Sequence, residues 1–130
     1  MLAQAAIAAL LAATTPAPPA EIATPRLWKA LATCETGYNL AHNQPSYISA
    51  LGMSRRTFAR WGGRYSDTKT WYRTMVIAER VAWYGYTTPK GEYVYPVGPW
   101  GWGCLRKGSY AHQVLCASKK PEVRRWRRYC

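Results

Sequence analysis

Four cysteines constrain the fold of this 130-residue chain more than any other feature: Cys34, Cys104, Cys116 and Cys130. An even number of cysteines in a small chain is typical of a disulfide-stabilised protein from an oxidising compartment. Four cysteines permit three connectivities, and their positions alone do not choose among them. The chain has no CxxC motif, and His42 and His112 do not fall at zinc-ligand spacing, so we expect two disulfides and no metal site.

The N-terminus predicts export. Residues 2–13 form an apolar run that is too short to span a bilayer, and a Pro- and Ala-rich stretch follows it. The pattern resembles a secretory signal peptide cleaved between Ala13 and Glu21, although no Lys or Arg precedes the run. An uncleaved apolar N-terminal helix is the alternative. We therefore interpret residues 1–24 as a signal-peptide-like segment with a linker, and expect a secreted or cell-wall-associated protein.

The chain is strongly basic, with 18 Lys and Arg against 6 Asp and Glu, which gives a net charge of +12. Such a charge favours binding to a polyanion, which could be nucleic acid, an anionic membrane surface or a cell wall. Residues 119–130 alone carry six basic side chains, interleaved with Trp126 and Tyr129. This basic tail predicts contacts with anionic wall polymers, while a solvated helix is the plainer interpretation.

Capping residues and periodic apolar positions predict five helices and a mainly α, α+β fold. The first spans Pro25 to Thr36, with Thr24 as its N-cap and Gly37 as its stop. The other four are expected after Ser54, after Asp67, after Ser109 and from Pro121. Residues 38–53 lack a helical period and predict loops with one or two short strands. The turn at residues 89–91 predicts a hairpin within an aromatic loop.

Among the six carboxylates, Glu35 has the position best suited to catalysis. Asp67 is expected to cap a helix, and Glu79, beside Arg80, is typical of a solvated or paired helix residue. Glu35 ends an apolar helix, where the helix dipole and the apolar neighbours disfavour a negative charge. Such a carboxyl group is suited to act as a general acid, although a surface Glu is the plainer alternative.

The residues around Glu35 resemble a known family. The segment from Trp28 to Asn39 has the pattern W-x-x-L-A-x-C-E-T-G-x-N. It is similar to the start of the resuscitation-promoting-factor domain, also called the transglycosylase-like domain, of actinobacteria and their phages. The similarity continues through four further segments: YISALGM at 47–53, TFARWGG at 57–63, IAERV at 77–81 and WGWGC at 100–104.

The resemblance has three departures. The family usually has a second Gly where this chain has Tyr38, and a Gly-Gly pair where it has Ser49-Ala50. Gly52 replaces a Gln that lines the family's cleft. These changes affect expected substrate contacts more than catalysis.

The resemblance implies a small lysozyme-like domain over residues 25–105, followed by the basic, aromatic extension at 106–130. It implies that Glu35 is the catalytic acid, and that a disulfide joins Cys34 to Cys104, which leaves Cys116 and Cys130 as the second pair. Candidate substrate-binding residues are Asn39, Tyr47, Thr57, Trp100 and Trp102. The implied partner is the peptidoglycan glycan strand, with no cofactor, no specific nucleic acid and no stable membrane span.

The expected reaction is cleavage of the MurNAc-GlcNAc backbone with one carboxyl group, which suits a lytic transglycosylase. A hydrolase would need a second carboxylate, and Asp67 is the candidate. Two other functions stay open. One is a catalytically weak or inactive wall-binding protein, or a phage virion component on the same fold. The other is a secreted cationic protein that acts on membranes or nucleic acid through its charge.

Overall fold

The computed structural model describes residues 21–130, which contain five α-helices and two two-stranded antiparallel sheets. The predicted mainly helical α+β class is confirmed, whereas the signal-peptide-like run lies outside the described residues. The α-helices are α1 (Pro25–Thr36), α2 (Arg55–Arg60), α3 (Trp71–Glu79), α4 (Tyr110–Ala117) and α5 (Pro121–Arg124). The strands are β1 (Tyr47–Ile48), β2 (Met53–Ser54), β3 (Tyr86–Thr87) and β4 (Tyr93–Val94).

Helix α1 has the predicted bounds, because proline suits the first helical position and Gly37 ends the helix with a left-handed φ of 69°. The predicted role of Thr24 as a side-chain cap is wrong: its side chain makes no capping hydrogen bond. Its hydroxyl group instead donates to Glu79 Oε1 at 3.3 Å and accepts from Trp83 Nε1 at 3.1 Å. The start of α1 is therefore fixed by α3 and the turn after it.

Glu79 is buried, with 2 % exposure, where the sequence predicted a solvated or paired residue. Its Oε1 accepts from the backbone N–H of Thr24 at 2.9 Å and from Trp28 Nε1 at 3.0 Å. Its Oε2 has no hydrogen-bond partner among the described residues. Burial raises the pKa of Glu79, although these hydrogen bonds act in the opposite direction.

Helix α3 begins later than predicted, because Thr70 and not Asp67 is its N-cap, accepting from Arg73 N–H at 3.4 Å. Asp67 lies in a preceding 3₁₀ turn (Tyr65–Lys69), where Oδ2 accepts from the backbone of Arg64 at 2.8 Å. A π-helical turn (Arg80–Tyr84) continues α3, and Gly85 ends it as predicted.

The two sheets are short hairpins. Tyr47 pairs with Ser54 across β1 and β2, and Tyr86 pairs with Val94 across β3 and β4. The predicted turn at residues 89–91 closes the second hairpin, where Gly91 donates to Thr88 O at 2.9 Å. The strands contribute few backbone hydrogen bonds, so the hairpins depend on packing against the helices.

The C-terminal extension shares the core of the preceding residues. Leu115 and Val123 are completely buried in the same cluster as Trp28 and Leu31. Two disulfides are present, joining Cys34 to Cys104 and Cys116 to Cys130. The second bridge holds the basic tail, which ends in a 3₁₀ turn (Arg127–Tyr129), to the end of α4. No helix within residues 21–130 is long and apolar enough to cross a membrane.

Replacing Glu79 with Gln should change how stability depends on pH. A raised folded-state pKa means that this group's contribution is fully present below its ordinary pKa of 4.5 and is lost as the pH rises through the folded-state value. The amide does not ionise, so the variant lacks this loss. Urea unfolding from about pH 3 to about pH 8 should show wild-type stability falling relative to Glu79→Gln. Glu92→Gln, at an exposed hairpin position, should keep the wild-type pH dependence. A loss of that dependence in Glu92→Gln equal to the loss in Glu79→Gln would contradict the assignment to Glu79.

Candidate active site

Two adjoining pockets form one cleft beside the C-terminal end of α1. The wider part has a volume of about 500 Å³ and the narrower part about 230 Å³. Both parts are lined by Tyr47, Gly52, Gly101 and Trp102, so they are continuous. The wider part is also lined by Glu35, His42, Gln44 and Gly103. A larger apolar pocket of about 610 Å³ lies between the start of α1 and α4, but no carboxylate or histidine lines it.

Glu35 lies half-buried in the wider part of this cleft. The disulfide between Cys34 and Cys104 brings the Cys104 backbone N–H to 2.8 Å from Glu35 Oε1. The other carboxylate oxygen accepts no hydrogen bond from the described residues. One oxygen is thus fixed by the backbone, and the second is available to a bound molecule.

Glycines surround the Glu35 carboxyl group. A Cβ atom placed on Gly103 would lie 3.9 Å from Glu35 Oε1, and one placed on Gly52 would lie 3.8 Å from Glu35 Cβ. These are ordinary contact distances, so a longer side chain at Gly103 would lie beside the carboxyl group and one at Gly52 would lie beside the Glu35 side chain. The absence of side chains on both keeps Glu35 accessible from the cleft.

The loops next to Glu35 contain two non-glycine residues with a left-handed backbone. Tyr38, directly after α1, has a φ of 60°, and Ser49, in the β1–β2 turn, has a φ of 71°. This conformation costs an L-residue about 1–2 kcal/mol. Tyr38 packs edge-on against Trp71 at 5.0 Å, and Ser49 is completely buried with its Oγ accepting from Leu51 N–H at 3.3 Å. Tertiary contacts therefore hold both residues in place.

Three of the candidate substrate-binding residues line the cleft. Tyr47 is 54 % exposed and borders both parts. Trp102 also borders both parts, but it is a buried wall residue: its Nε1 donates to Leu51 O at 3.1 Å. Thr57 borders the narrower part, and its hydroxyl group accepts from Ser54 Oγ at 2.8 Å.

The other two candidate substrate-binding residues do not line the cleft. Asn39 closes its own turn, because its Oδ1 accepts from Ala41 N–H at 3.0 Å, as asparagine commonly does in loops. Trp100 packs against Tyr129 of the basic tail, with ring centroids 5.0 Å apart. The structure therefore places both in supporting positions rather than beside Glu35.

His42 and Gln44 also line the cleft, and neither is among the residues that the sequence predicts to bind substrate. Their loop is held by Arg55, whose guanidinium donates to Pro45 O at 2.9 Å and to Gln44 O at 3.0 Å. No periodic pattern marks such a loop. Backbone hydrogen bonds also hold this loop, since Gln44 N–H donates to Tyr47 O at 2.9 Å and Ser49 N–H donates to His42 O at 3.1 Å.

Glu35 is the only carboxylate in the cleft, since all six acidic residues of the sequence are among those described. Asp67, the candidate second carboxylate, lines a separate pocket with Arg64 and Arg73. Glu79 is buried in the core, and Glu122 accepts from Tyr84 Oη at 3.3 Å. The structure does not bring a second acid to Glu35.

One group of potential metal-binding side chains occurs among residues 21–130. His112, Cys116 and Cys130 have donor atoms within 4.8 Å of one another. The two sulfur atoms are joined in a disulfide, and a metal would need the thiolate form. This cluster is therefore a structural disulfide beside a histidine in the oxidised protein.

Comparison with known protein families, with curated proteins and with solved structures finds no significant match to this chain.

The left-handed backbone at Ser49 predicts that glycine is more stable than alanine at this position, which is the reverse of their usual order in a helix. Ser49→Gly and Ser49→Ala both lose the hydrogen bond to Leu51 N–H, but only glycine removes the left-handed penalty. We expect Ser49→Gly to be more stable than Ser49→Ala by about 1 kcal/mol in urea unfolding. In α2 the usual order should hold, with Ala59→Gly losing about 0.5–1 kcal/mol. A Ser49→Ala variant as stable as Ser49→Gly would contradict the explanation.

Proposed function

We propose that this protein is a lytic transglycosylase that cleaves the MurNAc-GlcNAc backbone of bacterial peptidoglycan, with Glu35 as its single catalytic carboxyl group. The observation that carries the proposal is the isolation of Glu35. It is the one carboxylate of the cleft, anchored through Oε1 at 2.8 Å and flanked by glycines. A single acid fits a transglycosylase, whereas hydrolysis normally uses two carboxylates.

The backbone conformation supports the family resemblance. Tyr38 and Ser49 are two non-glycine residues with positive φ, and both stand where the family pattern has glycine. A positive φ is where glycine is favoured over other residues. At two of the three departures, the chain thus keeps the conformation that a glycine would adopt most easily. The disulfide between Cys34 and Cys104 is also the pairing that the resemblance implies.

The proposed mechanism needs only proton transfer by Glu35. Its protonated carboxyl group donates to the glycosidic oxygen as the bond to the muramic C1 breaks. The N-acetyl group of that sugar stabilises the positive charge that develops at C1. The carboxylate then takes the proton from the sugar's 6-hydroxyl group, whose oxygen bonds to C1 in a 1,6-anhydro ring. No water is consumed, and Glu35 returns to its protonated state.

Tyr47 is the strongest candidate for positioning the glycan. Its ring is exposed at the junction of the two parts of the cleft, where one face is available to a sugar. Trp102 supplies the floor, and its fixed indole keeps the cleft rigid. His42 and Gln44 add hydrogen-bonding groups on the loop side of Glu35.

The basic tail gives this enzyme a second contact with an anionic cell wall. The Trp126 ring packs closely on Gly98, so a Cβ atom added to Gly98 would lie 2.7 Å from that ring. Gly98 also lines the narrower part of the cleft. The disulfide between Cys116 and Cys130 holds the tail in this position. Binding of wall polymers to the tail would thus keep the cleft near its substrate. Two disulfides fit a secreted or wall-associated location.

Glu35→Gln should abolish cleavage of purified actinobacterial peptidoglycan. The amide cannot donate the proton that the leaving oxygen needs, so we expect the rate to fall at least about 100-fold. Mass spectrometry of the released muropeptides should show wild-type products one water lighter than hydrolysis would give. Glu92→Gln, with the same change at an exposed hairpin position, should retain wild-type activity.

Other results would identify a different function. Full-mass reducing-end products from the wild type would make the enzyme a hydrolase with an activated water. If neither protein releases products but both sediment with the wall, the wall-binding function replaces the enzymatic one. The placement of Asn39 and Trp100 away from the cleft is the observation that favours this second candidate.

Tyr47→Ala and Asn39→Ala should affect substrate binding differently, because Tyr47 lines the cleft and Asn39 does not. Loss of the Tyr47 ring should raise KM for soluble peptidoglycan fragments by about 5- to 10-fold, because one stacking surface of roughly 1–1.4 kcal/mol is removed. Asn39→Ala should leave KM within about twofold, since its side chain serves its own turn. Equal effects of the two variants would contradict this arrangement of the cleft.

A further inference from the structure

A polar pocket of about 320 Å³ lies apart from the cleft, and three arginines converge on it. We call it the arginine pocket; it is lined by Gly62, Arg64, Ser66, Asp67, Arg73, Val76, Ile77, Arg80 and Tyr86. It shares no lining residue with the cleft around Glu35. The reaction proposed above uses none of its side chains.

The three arginines come from two segments, since Arg73 and Arg80 lie on one continuous helix and Arg64 precedes it in the chain. Arg64 precedes the 3₁₀ turn, Arg73 lies in the first turn of α3, and Arg80 lies in the π-helical turn that continues α3. A single surface helix with basic residues would not bring three guanidinium groups around one concave volume. The convergence is produced by the tertiary fold.

Arg80 is held in position before any ligand binds. Its guanidinium lies 4.8 Å from the centre of the Tyr86 ring, and its Nη1 donates to Trp61 O at 3.1 Å. A guanidinium group has five N–H donors, so this contact leaves others for an incoming anion. A Cβ atom on Gly62 would lie 2.4 Å from the Tyr86 ring, so only glycine allows this packing.

The charges in the pocket are unbalanced. Asp67 is its one carboxylate against three arginines, which leaves 3 − 1 = +2. Asp67 already accepts from the Arg64 backbone at 2.8 Å, and one oxygen lies 3.4 Å from Arg73 Nη1. Arg73 is 68 % exposed, so this ion pair is weak. The remaining positive charge has no partner of opposite sign among the described residues.

We propose that the arginine pocket binds a phosphate group, either free or within a phosphodiester polymer. Arginine is suited to this ligand because its planar fork pairs with two oxygens of a phosphate at once. The net charge of +2 suits one phosphate group rather than a cluster of them. The volume is in the range of small-ligand sites.

The test is a titration of the isotope-labelled, oxidised full chain with inorganic phosphate and with a short glycerol phosphate oligomer, at constant ionic strength. NMR should show saturable shifts at residues 64–67, at Arg73 and at Arg80. Arg80→Gln and Arg73→Gln should each weaken binding at least tenfold. Arg56→Gln removes the same charge from an exposed position of α2 outside the pocket, and should change affinity less than twofold.

Each outcome decides the proposal. Saturable binding of both probes assigns a phosphate site, and binding of the oligomer alone assigns a polymer phosphodiester site. An equal loss in Arg56→Gln and the pocket variants would show general charge attraction and overturn the proposal. Shifts that concentrate in the basic tail, or no saturable shift with either probe, would overturn it too. Catalysis by Glu35 is measured separately, so its failure leaves this result unaffected.

Discussion

The buried carboxylate of Glu79 is the interaction on which the rest of the structure depends. It accepts hydrogen bonds from the first residue before α1 and from Trp28 one turn into it, so α3 sets both the position and the rotation of α1. Burying a carboxylate with one unpaired oxygen is unfavourable, and the surrounding donors offset part of that penalty. Because α1 is rigid, fixing its start also fixes its end, where Glu35 lies.

The opposite end of α1 is fixed by covalent chemistry. The bridge from Cys34 to Cys104 closes a sequence separation of 70 residues, which contributes about 4 kcal/mol in the chain-entropy description. Its more specific effect is local, since it places a backbone N–H donor on Glu35 Oε1. A helix held by a polar network at one end and by a disulfide at the other positions one carboxyl group with little freedom. This is the preorganisation that the proposed single-acid mechanism requires.

Local signals predicted most of the elements, while tertiary contacts decided the exceptions. Pro25 and Gly37 fixed the bounds of α1 because their backbone preferences are intrinsic, and Ser54 capped α2 as predicted. Thr24 and Asp67 are residue types that commonly cap helices, but neither side chain caps the predicted helix. The Thr24 hydroxyl group donates to Glu79, and the Asp67 carboxylate accepts from the backbone of Arg64. The location of Glu35 near the end of α1 was predictable because the bounds of that helix were predictable. His42 and Gln44 could not be found in this way, because Arg55 and the backbone of residues 47–49 hold their loop in place.

The left-handed backbone at Tyr38 and Ser49 shows that the path of a chain and the residue type that follows it most easily are different things. Glycine makes such a turn easy to form, but it is not what defines the path of the chain. Once a ring packs on Trp71 or a hydroxyl group is enclosed in the core, the surrounding structure imposes the same dihedral angles on a residue that would avoid them. Two proteins can then follow one backbone path while differing at the residues by which that path is most readily recognised.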